Sequence, residues 1–200
     1  MALSLYFVRH GETEANARQV YYGRLDVDIN ARGERHAREA AGYLEAVAFD
    51  RVIVSERKRT WQTARAICPD EAIWEIHPGL NEMDFGEWEG MDHREVGKRY
   101  PGTYRNWCDD WMHTAPDGGE CFMDMYQRVC AAFDALDIKD GENILIVGHH
   151  GPFQCLFSKF LDAPPEAIWH LKFLQGSYSK VTLAEGYPVI EGINLRHREE

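Results

Sequence analysis

The chain has 200 residues, a net charge of -11 and a hydrophobic fraction of 44%, which is ordinary for a globular protein. This acidic balance disfavours nucleic acid and anionic membranes as partners. Since no apolar run approaches the length of a bilayer span and the first residues lack a secretory signal pattern, we expect a cytoplasmic protein that does not bind membranes.

The cysteines and histidines do not follow metal-ligand or disulfide spacings. The cysteine count is odd, and no pair has the Cys-x-x-Cys spacing, so we expect reduced thiols. His-x-His, His-Glu-x-x-His and clustered acidic triplets do not occur, so we expect no metal and no cofactor. The five cysteines are Cys68, Cys108, Cys121, Cys130 and Cys155.

The first half of the chain alternates between strand and helix patterns. Leu3–Val8 reads as a buried strand, and a helix capped by Asn30 follows, with apolar residues three and four apart as far as Val47. Phe49–Val54 predicts a second strand, and Lys58–Ile67 predicts the next helix. Ala72–Ile76 is a weaker strand candidate.

The second half continues this alternation. Phe122–Leu136 has apolar residues along one helical face, and Asn143–Gly148 is the clearest core strand of the chain. A helix is expected over Phe153–Leu161. Two late strands, Val181–Leu183 and Val189–Ile193, are expected to be antiparallel at the sheet edge.

These elements predict an α/β fold, namely a three-layer α/β/α sandwich with a mostly parallel central sheet. We interpret residues 1–200 as a single domain with a helical lid insertion at approximately residues 85–120, here called segment 85–120. This segment combines many acidic residues with the aromatic residues Trp88, Tyr100, Tyr104, Trp107 and Trp111.

Two predicted core strands end in histidine. Arg9 and His10 follow the first strand, and His149 follows the strand Asn143–Gly148. An isolated histidine at a strand end is usually a structural residue bonded to a backbone carbonyl. Two histidines at equivalent strand ends, one beside an arginine, instead favour a ligand site, because ligands bind at the carboxyl edge of open α/β sheets. Arginine neutralises phosphate oxygens, and imidazole can attack phosphorus.

Two further strand candidates are followed by charged residues that fit phosphate chemistry. After the second strand, either Arg57 or Arg59 could deliver another guanidinium to the same edge, and spacing alone does not choose between them. The alternative is a solvated helix face. Glu82 follows the third strand and could act as general acid and then general base, although a surface carboxylate is the commoner explanation.

In order along nearly the whole chain, these residues resemble the histidine phosphatase superfamily, which also contains the cofactor-independent phosphoglycerate mutases. The chain departs from the family's usual residues at Thr60, Cys121 and Pro152. The resemblance is carried by Phe7-Val8-Arg9-His10-Gly11-Glu12-Thr13, Asn16, Gly23, Ser55 through Ala64, Glu82 and Gly148-His149-His150-Gly151.

The resemblance implies a role for each matching residue. His10 would be the phosphorylated nucleophile, and Glu82 would be the proton donor. The family's second arginine lies four residues after the serine, which selects Arg59 over Arg57. The implied phosphate pocket consists of Arg9, Arg59 and His149, and the residues implied beside it are Asn16, Gly23 and His150. Either His149 or His150 could enter the pocket, and position favours His149.

The implied reaction is hydrolysis of a small phosphomonoester through a phosphohistidine. Two arginines and a protonated His149 would neutralise the phosphate oxygens. His10 would attack as neutral imidazole while its other nitrogen donates to a fixed acceptor. Glu82 would need a raised pKa to act as an acid near neutral pH.

Further motifs carry a second, finer resemblance: Asn81-Glu82-Met83, Phe85-Gly86-Glu87-Trp88-Glu89, Trp107-Cys108-Asp109-Asp110-Trp111, Gly119-Glu120 and Ala167-Ile168-Trp169-His170. They resemble the alpha-ribazole phosphatases of cobalamin assembly, which implies alpha-ribazole 5'-phosphate or adenosylcobalamin 5'-phosphate as substrate. A phosphoglycerate mutase-like enzyme, a broad small-molecule phosphatase and a catalytically silent binding module are the alternatives. The lid tryptophans could stack on a flat base or form a small satellite core, and the sequence carries no signal for an oligomeric state.

Overall fold

The computed structural model describes residues 3–199 and contains a six-stranded sheet with helices on both faces. Residues 1, 2 and 200 of the expected single domain lie outside the described residues. The strands are β1 (Leu3–Arg9), β2 (Arg51–Val54), β3 (Trp74–Ile76), β4 (Asn143–Gly148), β5 (Tyr178–Ala184) and β6 (Tyr187–Leu195). The α-helices are α1 (Glu14–Arg18), α2 (Ala31–Tyr43), α3 (Lys58–Ile67), α4 (His93–Arg99), α5 (Pro101–Asp109), α6 (Phe122–Asp134) and α7 (His150–Phe160).

The sheet has the strand order β3-β2-β4-β1-β5-β6. Strands β3, β2, β4 and β1 are parallel to one another, whereas β5 runs antiparallel to β1, and β6 runs antiparallel to β5. This confirms the mostly parallel sheet and the antiparallel late strands. Because β2, β4 and β1 are adjacent and parallel, the residues that follow them meet at one edge.

Alternate side chains of the central strands build two separate cores, as the period of a β-strand requires. Leu5 and Phe7 of β1 face the layer formed by α6 and α7, whereas Tyr6 and Val8 face the layer formed by α2 and α3. Burial of both sheet faces explains the nearly continuous apolar sequence of β1 and β4. The three-layer α/β/α prediction is confirmed.

Several element boundaries differ from the predicted ones. Helix α2 ends at Tyr43, and Leu44 caps it, so Val47 lies outside the helix. Of the predicted strand Ala72–Ile76, Trp74–Ile76 alone is extended, because Glu71–Ile73 forms a 3₁₀ turn. Helix α7 begins at His150, before its predicted start. Pro152 lies in the first turn, where its missing N–H costs no hydrogen bond.

Segment 85–120 contains α4 and α5 packed around one buried tryptophan. Trp88 is fully buried, and its ring lies 5.7 to 5.9 Å from the rings of Tyr21, Tyr104 and Trp107. The Trp88 indole N–H donates to Asp117 Oδ2 at 3.2 Å. The segment therefore forms a small aromatic core together with Tyr21, and its action as a lid stays a prediction.

Within residues 3–199, none of the helices is both long and apolar enough to cross a membrane.

Candidate active site

His10 lies directly after β1 and is held in one tautomer by its own loop. Its backbone N–H donates to Gly148 O of the neighbouring strand at 3.0 Å. Its Nδ1 lies 2.8 Å from Gly11 O. A carbonyl oxygen can only accept, so Nδ1 carries the proton, and Nε2 keeps its lone pair. Burial and the charges of Arg59 and Arg9 lower the pKa of His10 well below its usual value, which keeps the ring neutral and nucleophilic.

Arg59, on the first turn of α3, is fully buried and held by two carbonyl groups. Nη1 donates to Leu25 O at 2.7 Å, and Nη2 donates to Gly23 O at 2.8 Å. The guanidinium carbon lies 4.8 Å above the centre of the Tyr22 ring, within cation–π range. These contacts fix the plane of the guanidinium and leave three of its five N–H groups for another acceptor.

Arg9 occupies the last position of β1, beside His10. Its Nη1 donates to Phe173 O at 3.0 Å. Burial lowers the pKa of Arg9. An arginine side chain nevertheless stays charged in proteins at neutral pH.

His149 caps the N-terminus of α7 directly after β4 and is fully buried. Its ring centre lies 5.2 Å from that of His10, so the two imidazoles meet as the strand order requires. Nε2 lies 2.8 Å from Ser55 Oγ. Burial and the charge of Arg59 lower the pKa of His149 well below its usual value. The expected imidazolium is therefore disfavoured, because the ring is neutral before an anion binds.

Three buried nitrogens of these residues have no hydrogen-bond partner within residues 3–199: Arg9 Nε, Arg59 Nε and His149 Nδ1. Buried donors are normally paired, and an unpaired one costs about 1–3 kcal/mol. When Ser55 donates to His149 Nε2, Nδ1 carries a proton, and all three nitrogens are donors. Unpaired buried donors of this kind are typical of a site that binds an anion.

Glu82 supplies the carboxyl group of the cluster. Its Oε1 accepts from Met83 N at 3.0 Å, and its Oε2 accepts more weakly from Gly151 N at 3.3 Å. Burial raises the pKa of Glu82, although these two N–H groups and two nearby arginine charges act in the opposite direction. A carboxyl group with a raised pKa can hold a proton near neutral pH and release it to a leaving group.

The three residues implied beside the phosphate pocket differ in the hydrogen-bonding groups that they leave free for a ligand. Asn16 Oδ1 accepts from Thr13 and Gln175, which leaves the amide NH₂ as a donor. Gly23 already donates its N–H to Glu89 and accepts from Arg59. Gly23 also lies so close to Met83 O that a Cβ would be 1.7 Å from this oxygen.

His150 lies beside the cluster on the first turn of α7. Phe173 N–H makes a weak 3.4 Å contact with His150 Nδ1. Burial, followed by the charges of Arg9 and Lys172, lowers the pKa of His150 to about 4, so this ring is neutral as well.

Arg57, the competitor of Arg59 on spacing, occupies a different position. It precedes α3 and lines a cavity of about 290 Å³, and Glu82 forms another part of the wall of this cavity. Its Nη2 lies 4.0 Å from Glu56 Oε2, and its side chain is 21% exposed. Arg59, in contrast, is completely buried and held by two carbonyls.

A second cavity of about 380 Å³ also has Glu82 in its lining. Its wall is mostly apolar, and Trp111 lies between Trp169 and Phe122, at ring distances of 5.1 and 4.8 Å. The tryptophans of segment 85–120 therefore divide: Trp88 belongs to the satellite core, whereas Trp111 faces the cavity. The lining includes Tyr21, Tyr22, Met83, Phe85, Trp107, Phe122, Met125, His150, Gly151, Gln154 and Ile168.

Some contacts at the site were not predicted from the sequence. Ser55 stands inside the matched motif, but its contact with His149 joins positions 94 apart. Tyr22 carries no spacing signal that separates it from ordinary core aromatics, whereas Trp169 belongs to a motif that the resemblance had already singled out. Among the described residues, no group of three or more His, Cys, Asp or Glu side chains is arranged to hold a metal ion.

Two imidazoles, two guanidiniums and a carboxyl group therefore lie close together at one edge of the sheet. The chain belongs to the histidine phosphatase superfamily (branch 1), whose family model matches residues 5–196.

Individual relatives cover almost the whole chain. An adenosylcobalamin/alpha-ribazole phosphatase of Escherichia coli K12 is 35% identical over 97% of both chains. The crystal structure of the alpha-ribazole phosphatase from Shigella flexneri superposes with a TM-score of 0.93 at 34% identity, covering 98% of both chains. A phosphoserine phosphatase 1 of Hydrogenobacter thermophilus is 29% identical over 96% of this chain and 92% of the relative.

Proposed function

We propose that this phosphatase hydrolyses alpha-ribazole 5'-phosphate, or the 5'-phosphate of adenosylcobalamin, through phosphorylated His10. The observation that carries the proposal is the set of three unpaired buried donors beside a ring whose Nε2 is unprotonated. With neutral imidazoles and a protonated Glu82, the two guanidiniums provide the positive charge that a phosphomonoester dianion needs.

In the first step, His10 Nε2 attacks phosphorus, and the bond between phosphorus and the ribose oxygen breaks. Arg9, Arg59 and His149 donate to the non-bridging oxygens, and Glu82 transfers its proton to the departing alcohol. The His10 proton stays on Nδ1 and is donated to Gly11 O, and this hydrogen bond stabilises the positive charge that develops on the ring.

In the second step, water attacks the phosphohistidine, and the bond between phosphorus and Nε2 breaks. Glu82, now ionised, accepts a proton from the water, and inorganic phosphate is released. The site returns to its starting protonation state, and neither step calls for an oxidant, a reductant or another reactant.

The apolar cavity beside Glu82 supports the substrate assignment. The leaving group must lie on the Glu82 side of the phosphate, and there Trp111 and Trp169 offer aromatic faces. The flat, apolar benzimidazole base of alpha-ribazole fits such a wall. Aromatic contacts of this kind contribute about 0.5–1.5 kcal/mol beyond area burial.

A turnover panel tests the substrate. Alpha-ribazole 5'-phosphate is compared with ribose 5-phosphate, which lacks the base, and with adenosine 5'-monophosphate, 3-phosphoglycerate and phosphoserine. We expect the highest kcat/KM for alpha-ribazole 5'-phosphate. Equal kcat/KM for ribose 5-phosphate would overturn the base-binding role of the cavity.

The Trp111→Leu variant separates base binding from phosphate chemistry. We expect its kcat/KM for alpha-ribazole 5'-phosphate to fall about 10-fold, which corresponds to about 1.4 kcal/mol. Its kcat/KM for ribose 5-phosphate should hardly change, so the second substrate is the internal control. Equal losses for both substrates would contradict the proposed contact.

A further inference from the structure

The carboxylate of Glu89 is surrounded by backbone N–H groups from two loops. Oε1 accepts from Gly23 at 2.8 Å, from Arg24 at 2.9 Å and from Phe85 at 3.3 Å. Oε2 accepts from Leu25 at 3.0 Å. One side chain of segment 85–120 therefore binds three consecutive amides of the loop formed by residues 23–25, here called loop 23–25.

Loop 23–25 has neither helical nor strand structure, so a regular backbone ladder does not hold it. Such a loop keeps a defined shape when its N–H groups find fixed acceptors. Hydrogen bonds to an ionised acceptor are about twice as strong as neutral ones. The Glu89 carboxylate thus gives loop 23–25 the hydrogen-bond acceptors that a neighbouring strand gives to a strand inside the sheet.

The other side of loop 23–25 holds Arg59. The carbonyls of Gly23 and Leu25 accept hydrogen bonds from the two terminal nitrogens of its guanidinium, at 2.8 and 2.7 Å. The N–H groups of the same two residues are those bound by Glu89. A shift of this loop therefore changes the plane of the Arg59 guanidinium and the direction in which its Nε points.

We propose that Glu89 is a positioning residue, which orients the Arg59 guanidinium toward the phosphate through loop 23–25. This inference rests on the proposed phosphate contact of Arg59. Glu89 touches neither the phosphate nor Arg59, so its effect on the reaction passes through the loop.

The first test compares Glu89→Gln with Glu87→Gln. The Glu89→Gln amide turns an NH₂ group toward backbone donors, whereas Glu87 is an exposed residue of the same turn and serves as the matched control. With p-nitrophenyl phosphate as substrate, we expect kcat/KM of Glu89→Gln to fall about 10- to 100-fold. This is the range found when the hydrogen-bond partner that orients a metal-ligating side chain is removed. Glu87→Gln should retain wild-type kcat/KM. Equal kcat/KM for the two variants would overturn the inference.

A double-mutant cycle with Arg59→Met separates positioning from general destabilisation. If Glu89 acts through Arg59, adding Glu89→Gln to Arg59→Met lowers kcat/KM less than about 3-fold, because the orientation of a guanidinium no longer matters. A loss of the same size in both backgrounds would show independent effects and would overturn the inference. Thermal unfolding by circular dichroism establishes that each variant is folded, and Arg59→Lys replaces Arg59→Met if that variant does not fold.

The same cycle distinguishes failure of the inference from failure of the proposed function. Wild-type kcat/KM in Arg59→Met would remove Arg59 from the phosphate pocket and would overturn the proposed function at this residue. A large loss in Arg59→Met together with additive effects of Glu89→Gln would leave the phosphate pocket intact and overturn the positioning role alone.

Discussion

Replacement of Ser55 by alanine removes the hydroxyl that contacts His149 Nε2 at 2.8 Å. The same Oγ accepts the Arg57 N–H at 3.2 Å and lies 3.2 Å from Thr60 Oγ1. Thr60 Oγ1 is 2.7 Å from Arg57 O, its best acceptor, so the Ser55 proton is available to His149. The hydroxyl therefore keeps the single N–H proton of the neutral His149 ring on Nδ1, as the proposed phosphate contact requires.

The expected loss of stability follows from burial. Both Ser55 and His149 are completely buried, so in Ser55→Ala water cannot replace the hydroxyl at Nε2. An unsatisfied buried group of this kind costs about 1–3 kcal/mol, and we expect the free energy of unfolding to fall by about 2 kcal/mol. We also expect kcat/KM to fall about 10-fold, because the tautomer that donates from Nδ1 is no longer enforced.

Ser158→Ala is the matched control for this substitution. Ser158 is also fully buried, but its Oγ has no hydrogen-bond partner among residues 3–199. Removing this hydroxyl should leave the stability unchanged or raise it by up to about 1 kcal/mol. Urea unfolding and phosphate release are measured on both variants. Equal stability and full activity of Ser55→Ala and Ser158→Ala would refute the reasoning.

Two further predictions concern the protons of the site. Glu82→Gln should lower kcat with alpha-ribazole 5'-phosphate at least about 100-fold, the usual contribution of a general acid, and should hardly change the affinity for inorganic phosphate; similar changes in both would contradict the acid role. The pKa of His10 is lowered in the folded protein, so just below the unfolded value of about 6.5 the ring is protonated in the unfolded chain alone. The free energy of unfolding therefore decreases as the pH falls below that value. Between pH 6.5 and 5.5, the free energy of unfolding of the wild-type protein should fall more steeply than that of His10→Gln, by up to about 1.4 kcal/mol per pH unit. Urea titrations at each pH measure both slopes, and parallel slopes would contradict a buried neutral ring.

The sequence predicted those parts of the site that depend on strand order and strand ends. His10 and His149 follow the two most apolar strands, and such strands are buried at the centre of a parallel sheet. Their neighbouring positions in the sheet then bring the two rings together. Arg59 was selected over Arg57 by the resemblance alone. The spacing of residues around position 59 does not reveal that its side chain is buried and held by a distant loop.

The contacts that the sequence did not predict are those made between distant loops. Glu89 reaches back 66 residues to Gly23, and Ser55 reaches forward 94 residues to His149. Neither contact alters a hydrophobic period or a capping pattern. The tryptophans of segment 85–120 gave no sign of their division either, because Trp88 and Trp111 look alike in sequence, whereas one is enclosed by aromatic rings and the other lines a cavity.

The central claim is that phosphate is carried by Nε2 of His10, and trapping of the phosphoenzyme tests it most directly. The protein is mixed with excess substrate, quenched within milliseconds in alkali, which preserves phosphohistidine, and digested for mass spectrometry. We predict one phosphate on His10 at Nε2 in the wild-type protein, with neither label nor turnover in His10→Ala. Turnover by His10→Ala, or a phosphate found on another residue, would contradict the account.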